Sequence, residues 1–153
     1  MRKRHLKTTA TEGEPSPSLA ITCELAAFRY GLRKFLRFSE KAAERHGITP
    51  QQHQLMLGVA GFTGSGRATV SELAEFLQER HHGVSELVAR CAKRGLVHKT
   101  HDTSDRRVVF VSLTRKGETI LAKLSKLHKK QVEQLRAGLL DNARGRSEAR
   151  LRR

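Results

Sequence analysis

Residues 68–117 read ATVSELAEFLQERHHGVSELVARCAKRGLVHKTHDTSDRRVVFVSLTRKG, and this stretch decides the fold. It opens on Thr69 and Glu72, spaced as a capping box in which the threonine hydroxyl meets the N3 amide and the acidic side chain reaches back. SELAEFL follows as a short helix over about residues 70–78. A polar break, QERHH, leads into GVSELVARCAKR, where Val84, Leu87, Val88 and Cys91 recur at helical spacing and define an inner face. Gly95 stops this second helix. LVHKTH (96–101) and RVVFVSLT (107–114) are both strand-like, and the turn DTSD joins them. Two short helices in a tight turn, followed at once by a β-hairpin, make a winged helix-turn-helix.

Upstream, Leu25, Phe28, Leu32, Phe35 and Leu36 line one face of a long helix expected from about Leu19 to Arg45. Arg29, Arg33, Arg37 and Lys41 step by four along another face. His46-Gly47 ends it. Thr49-Pro50-Gln51-Gln52 then opens a further helix with a threonine cap, proline at the first position and a capping-box glutamine. That helix carries Leu55, Met56 and Val59 and gives out at GFTGSGR (61–67), whose GSG reads as a flexible linker. Downstream, Lys116-Gly117-Glu118 starts a last long helix with Leu121, Leu124, Val132, Leu135 and Leu139 along one face and His128 among them. Apolar stripes of this length exceed what a small lobe covers, and such stripes are usually buried against a partner subunit.

The chain of 153 residues carries 30 Lys+Arg against 15 Asp+Glu, a net charge of +15 at pH 7. The leader 1–18 accounts for +2 of it and residues 141–153 for +3, so +10 belongs to the fold itself. Such an excess favours polyanionic partners, meaning nucleic acid or an acidic surface. Two cysteines without a C-x-x-C pair argue against a disulfide framework and fit a reducing cytosol. The basic start lacks the apolar core of a signal peptide, and no window approaches eighteen apolar residues. A cytoplasmic protein with no membrane association is therefore expected. Neither G-x-S-x-G, a phosphate loop, H-E-x-x-H nor a dinucleotide fingerprint occurs, which speaks against an enzyme, and no cofactor is expected.

The run ATVSELAEFL, its partner helix ending in K-R-G-L-V, the wing D-x-R and the following L-T-x-K-G together resemble the multiple-antibiotic-resistance regulator (MarR) family of bacterial transcription regulators. ITPQQHQLMLGV (48–59) is similar to the family's second helix, and the resemblance covers roughly residues 20–140. It implies a mainly α fold with a small β-hairpin wing (α+β), a winged helix-turn-helix whose long first and last helices form a dimerisation lobe. The expected division is a flexible leader 1–18, one subunit over 19–140, and a basic disordered tail 141–153. Within the subunit the DNA-binding lobe spans about 49–114, with dimerisation helices at about 19–46 and 115–140. The resemblance further implies a homodimer on palindromic operator DNA, usually as a repressor, often released by a small ligand or by thiol oxidation.

By the D-x-R pattern, Arg107 is the residue carried over to a minor-groove role, with Asp105 orienting its guanidinium. Narrow A·T-rich minor grooves concentrate negative potential, which arginine exploits best. Arg106, on the opposite side of the strand by alternation, is expected at a phosphate. The reading helix should offer Arg80, His81, His82, Ser85 and Glu86 to base edges, with Arg90 one turn on. His-His-Gly here departs from the small polar residues common in the family, which puts the sequence read in doubt but not the docking mode. His98 and His101 point to opposite strand faces, so no metal site is expected. Arg29 or Arg33 is expected to meet an anionic aromatic effector. Cys23, seven residues before the only tyrosine, Tyr30, is the candidate for a peroxide-sensing thiol, whereas Cys91 fills the core. Two alternatives to a ligand-released repressor stay open: a thiol switch through Cys23, and a non-specific architectural DNA binder.

Overall fold

The computed structural model describes residues 17–151, with side chains over 18–138. Most of the expected leader therefore lies outside the described residues. The elements run α1 (Pro17–Arg45), α2 (Pro50–Leu57), a π-helical turn (Gly58–Phe62), β1 (Arg67–Thr69), α3 (Val70–Leu77), α4 (His81–Lys93), β2 (Val97–His101), β3 (Val109–Leu113) and α5 (Arg115–Leu151). This is the expected winged helix framed by two long helices.

Both capping boxes form. The Thr49 side chain accepts from the Gln52 amide at 3.2 Å while Gln52 accepts from the Thr49 amide at 3.0 Å. Thr69 and Glu72 repeat the arrangement at 3.2 and 2.7 Å, fixing the start of α3. Each satisfies two amides that a helix N-terminus would otherwise leave unpaired.

The hairpin gains a third strand that the sequence reading did not foresee. β1 pairs antiparallel with β3, placing Ala68 opposite Val111, and β2 pairs along the other edge of β3, giving the order β1-β3-β2. Three residues are too few to show a period of two, so β1 carried no pattern. The loop before it, whose GSG reads as a flexible linker, carries hydrogen bonds of its own. Gly64 and Gly66 both adopt positive φ, and the Thr63 and Ser65 hydroxyls both donate to the Arg67 carbonyl, at 2.7 and 2.9 Å. β3 in turn begins at Val109, two residues later than expected, which leaves Arg106 and Arg107 in the turn.

α4 starts earlier than expected. Gln78 closes α3 in the left-handed conformation, Arg80 sits extended as the N-cap, and the helix begins at His81. His81 and His82 thus belong to the first helical turn and not to the break. Arg80 makes no side-chain cap, so the usual start signal is absent. At the other end α5 continues to Leu151, past the point where a basic tail was expected, and the side chains from Leu139 onward lie outside the described residues.

The core sits beneath α3 and α4. It joins Leu55, Met56 and Val59 of α2 and the turn after it to Leu73 of α3, to Val84, Val88 and Cys91 of α4, and to Leu96, Val111 and Leu124. α1 and α5 also pack against each other. In contrast, Leu19, Ile21, Leu25, Phe28, Leu32 and Leu36 of α1, with Leu127 and Val132 of α5, stay exposed in the single chain.

Candidate nucleic-acid interface

α4 buries Val84, Leu87, Val88 and Cys91. The opposite face, at alternating steps of four and three residues, is His82, Glu86, Ala89 and Lys93, all exposed. Ala89 and Lys93 were missed as candidates, although their spacing from His82 and Glu86 was legible. Glu86 is engaged along the helix: one carboxylate oxygen lies 3.3 Å from His82 Nε2 and the other 3.9 Å from Arg90 Nη1. Exposed pairs of this kind contribute little stability, about 0.3–0.5 kcal/mol, so they order the side chains more than they hold the fold.

His81 and Ser85 turn toward the wing. With Thr69, Ser71, Lys99 and Arg107 they line a cleft of about 360 Å³ between the start of α3, α4 and the hairpin. Of the sequence candidates, His81, Ser85 and Arg107 are therefore brought to one place. His82 and Glu86 are exposed on α4, and Glu86 with Arg90 also borders the space between α1–α2 and α3–α4. Ser71 and Lys99 join the cleft unforeseen; Lys99 reaches it because residues 97, 99 and 101 share the α4 side of β2.

The tip of the wing is built by two consecutive aspartate turns. Asp102 Oδ1 accepts the amides of Ser104 and Asp105 at 2.8 and 3.0 Å and also the Ser104 hydroxyl. That hydroxyl first, and then the two amides, hold the Asp102 carboxyl below the usual carboxylate range. Asp105 Oδ1 then accepts the Arg107 amide at 3.0 Å and Arg107 Nε at 3.2 Å, with Nη2 3.5 Å from Oδ2. The Arg107 side chain nevertheless remains 92% exposed. Its guanidinium is thus aimed by a carboxylate and free on its outer side. Arg106 is exposed too, and its carbonyl accepts from His101 Nδ1 at 2.9 Å. Because neither arginine lies in the strand, the turn and not alternation sets where they point.

The motif L-T-x-K-G anchors this lobe. Thr114 Oγ1 donates to the Gly95 carbonyl at 2.6 Å and accepts the Gly117 amide at 3.0 Å; Lys116 Nζ donates to the Arg94 carbonyl at 3.0 Å. Arg94 itself donates to Gln52 Oε1 at 3.2 Å and to the Gly47 carbonyl at 2.6 Å. The C-terminal end of α4 is therefore tied both to α5 and to the turn between α1 and α2. Gly117 is required because a Cβ there would collide with the Leu96 carbonyl.

A second cleft, of about 480 Å³, lies between α1 and α2 on one side and α3 and α4 on the other. Arg29 and Arg33 line neither cleft; both are exposed on α1. Cys23 is exposed and Cys91 buried, both as free thiols. Burial pushes the Cys91 thiol up to about 11, despite Arg90 and Arg94 nearby, which keeps it protonated and inert. Between α1, α2 and α5, His53 is buried, its ring 5.1 Å from that of His128, and Nε2 of each lacks a partner. No helix among the described residues is long and apolar enough to cross a membrane.

Residues 46–108 match the model of the MarR family. The chain is 33% identical over 78 residues to the HTH-type transcriptional repressor MdtR of Bacillus subtilis, covering 51% of this chain and 48% of that protein. The chain thus spans about half the length of the curated relatives it matches. The fold is similar to that of AbsC, a MarR family transcriptional regulator from Streptomyces coelicolor, with a TM-score of 0.64 and 22% identity over 92% of this chain and 97% of the other. It is likewise similar to a cysteine-to-serine mutant of MarR from Escherichia coli complexed with operator DNA, with a TM-score of 0.63 and 18% identity over 92% and 97% of the two chains. The family resemblance read from the sequence and the winged-helix fold are both borne out.

Proposed function

From the premise that residues 46–108 match the MarR family, we propose that this chain is a sequence-specific DNA-binding transcription regulator. It acts in the cytoplasm as a homodimer that represses from an inverted-repeat operator. The observation that carries this reading is the wing tip, where Asp105 aims the exposed Arg107 guanidinium beside α4. Each subunit sets α4 in a major groove, with the face around His82, Glu86 and Lys93 toward base edges and Arg80 and His81 at the helix start. Arg107 enters the adjoining minor groove, and Arg106 meets a phosphate. The exposed apolar residues of α1 and α5 support pairing of two copies through those helices. Two-fold symmetry then sets half-sites about one helical turn, roughly 10 bp, apart.

Release by a small molecule fits the cleft between α1–α2 and α3–α4, since α1 and α4 both line it and a ligand there bears on how α4 sits against the long first helix. Selection of bound fragments from the source genome tests the reading. An inverted repeat with that spacing is the expected outcome. Uniform recovery without a shared sequence, with a steep salt dependence, would instead mark an architectural binder.

A further inference from the structure

Most of the positive charge of the chain lies away from the DNA-reading elements. Residues 46–114, which hold α2 to β3, carry eight Lys+Arg against six Asp+Glu, a net of +2. Residues 115–138 of α5 carry seven against two, a net of +5. Several basic groups of the reading lobe are also engaged within it. Arg90 lies 3.9 Å from Glu86, Arg107 Nε 3.2 Å from Asp105, and Arg94 donates to Gln52 and to the Gly47 carbonyl. The lysines of α5 are placed differently. Lys123, Lys126 and Lys130 step by three and four and share one face of the helix, with Lys129 beside them. All four are exposed, and none of their ammonium groups has an ion-pair partner among the described residues. Leu121 and Leu124 turn the opposite side of α5 into the core. The exposed apolar residues of α5, Leu127 and Val132, border the lysine face without entering it.

We infer that this face of α5 is a second contact surface for DNA, which takes the phosphates of one duplex while α4 and the wing hold another. Lys123 to Lys130 lie along about 10 Å of helix axis, over which a duplex presents about six phosphate charges. Lysine meets phosphate as a point charge with no fixed geometry, whereas planar carboxylates are gripped by the arginine fork. A face built from lysines alone therefore suits a sequence-independent backbone contact better than an acidic peptide. A lipid surface is held by bulky apolar side chains inserted beside the charges, but the exposed residues among these lysines, Thr119, Ala122 and Ser125, are small.

The inference goes beyond operator recognition and rests on the DNA-binding reading for its meaning. α5 starts at the end of β3 opposite to the wing tip, and Lys123 follows two helical turns later. The lysine face is thus set apart from Arg107 by the length of β3 and those two turns. A regulator built this way holds its operator through α4 and the wing and gathers a further segment through α5, so two duplex segments are brought together.

A bridging assay tests the inference: a duplex tethered to beads is loaded with the full chain and then challenged with a second, labelled duplex of unrelated sequence. The loaded protein is expected to retain the second duplex, with affinity falling on the order of a hundredfold between about 50 and about 200 mM salt, as four phosphate contacts require. Lys123→Gln/Lys126→Gln/Lys129→Gln/Lys130→Gln should lower retention per loaded protein about tenfold or more. The same four positions changed to arginine should keep it, since the charge is preserved. Circular dichroism of the three proteins controls for folding. No retention, or equal retention by the glutamine variant, would overturn the inference and leave the operator reading standing. Failure of the chain to load on the first duplex would strike both. Binding to vesicles containing phosphatidylserine that the glutamine variant loses, without retention of duplex, would assign the face to lipid and also overturn the inference.

Discussion

Lys116 donates from Nζ to the main-chain carbonyl of Arg94 at 3.0 Å, so the first turn of α5 closes the C-terminal end of α4. A cation at that end also complements the helix dipole, and Thr114 completes the tie by bridging the Gly95 carbonyl and the Gly117 amide. The reading helix is thus fixed at its C-terminal end, just past Lys93. Its position follows that of α5 and of the α1–α2 turn, which Arg94 grips through Gly47 and Gln52.

Thr114→Val keeps the shape of the side chain and removes both hydrogen bonds. The expected loss of stability is about 1–3 kcal/mol, because the Gly95 carbonyl and the Gly117 amide each lose a partner. Urea unfolding followed by circular dichroism measures it. A midpoint equal to that of the unaltered chain would show that water replaces the hydroxyl without cost.

Stability should fall in mild acid through His53. Burial first, and His128 beside it, lower its pKa from 6.5 to about 4. Above pH 6.5 the imidazole is neutral folded and unfolded, so it contributes nothing to the pH dependence. Below that, the unfolded chain takes a proton that the folded chain refuses until about pH 4. The folded state therefore loses on the order of 3 kcal/mol across this window. His53→Leu removes the imidazole and should flatten the stability profile between pH 6.5 and 4 relative to the unaltered chain. An equally steep fall in the variant would place the acid sensitivity elsewhere.

The two thiols should separate cleanly in a labelling experiment. Cys23 is exposed on α1, whereas Cys91 is fully buried with its thiol pushed up to about 11. A maleimide at neutral pH should modify one thiol per chain in native protein and two in denaturant. Rapid native labelling of Cys91 would show that α4 opens far more readily than its packing implies.

Much of the fold was legible because its signals are local. Thr49–Gln52 and Thr69–Glu72 announce helix starts within four residues, and Val84, Leu87, Val88 and Cys91 mark the buried face of α4 by spacing alone. The start of α4 was not legible, since Arg80 caps without a side-chain bond and His-His-Gly is a poor helix opening. β1 owes its existence to β3, more than forty residues away, and nothing within RAT itself foretells that pairing. The same distinction holds for function. Asp105 and Arg107 are two residues apart, so their pairing could be read directly. The cleft draws on α1, α2, α3 and α4 at once, and helical position did not reveal that Arg29 and Arg33 are not among its lining residues.

The central claim rests on Arg107, aimed by Asp105 at the exposed tip of the wing. The direct measurement is the affinity of Arg107→Ala for an operator fragment recovered by genomic selection, in a gel shift at matched salt. A loss of about 1–3 kcal/mol is predicted, with sequence preference relaxed at the A·T-rich flank of each half-site. Affinity equal to that of the unaltered chain at the same salt would contradict the account.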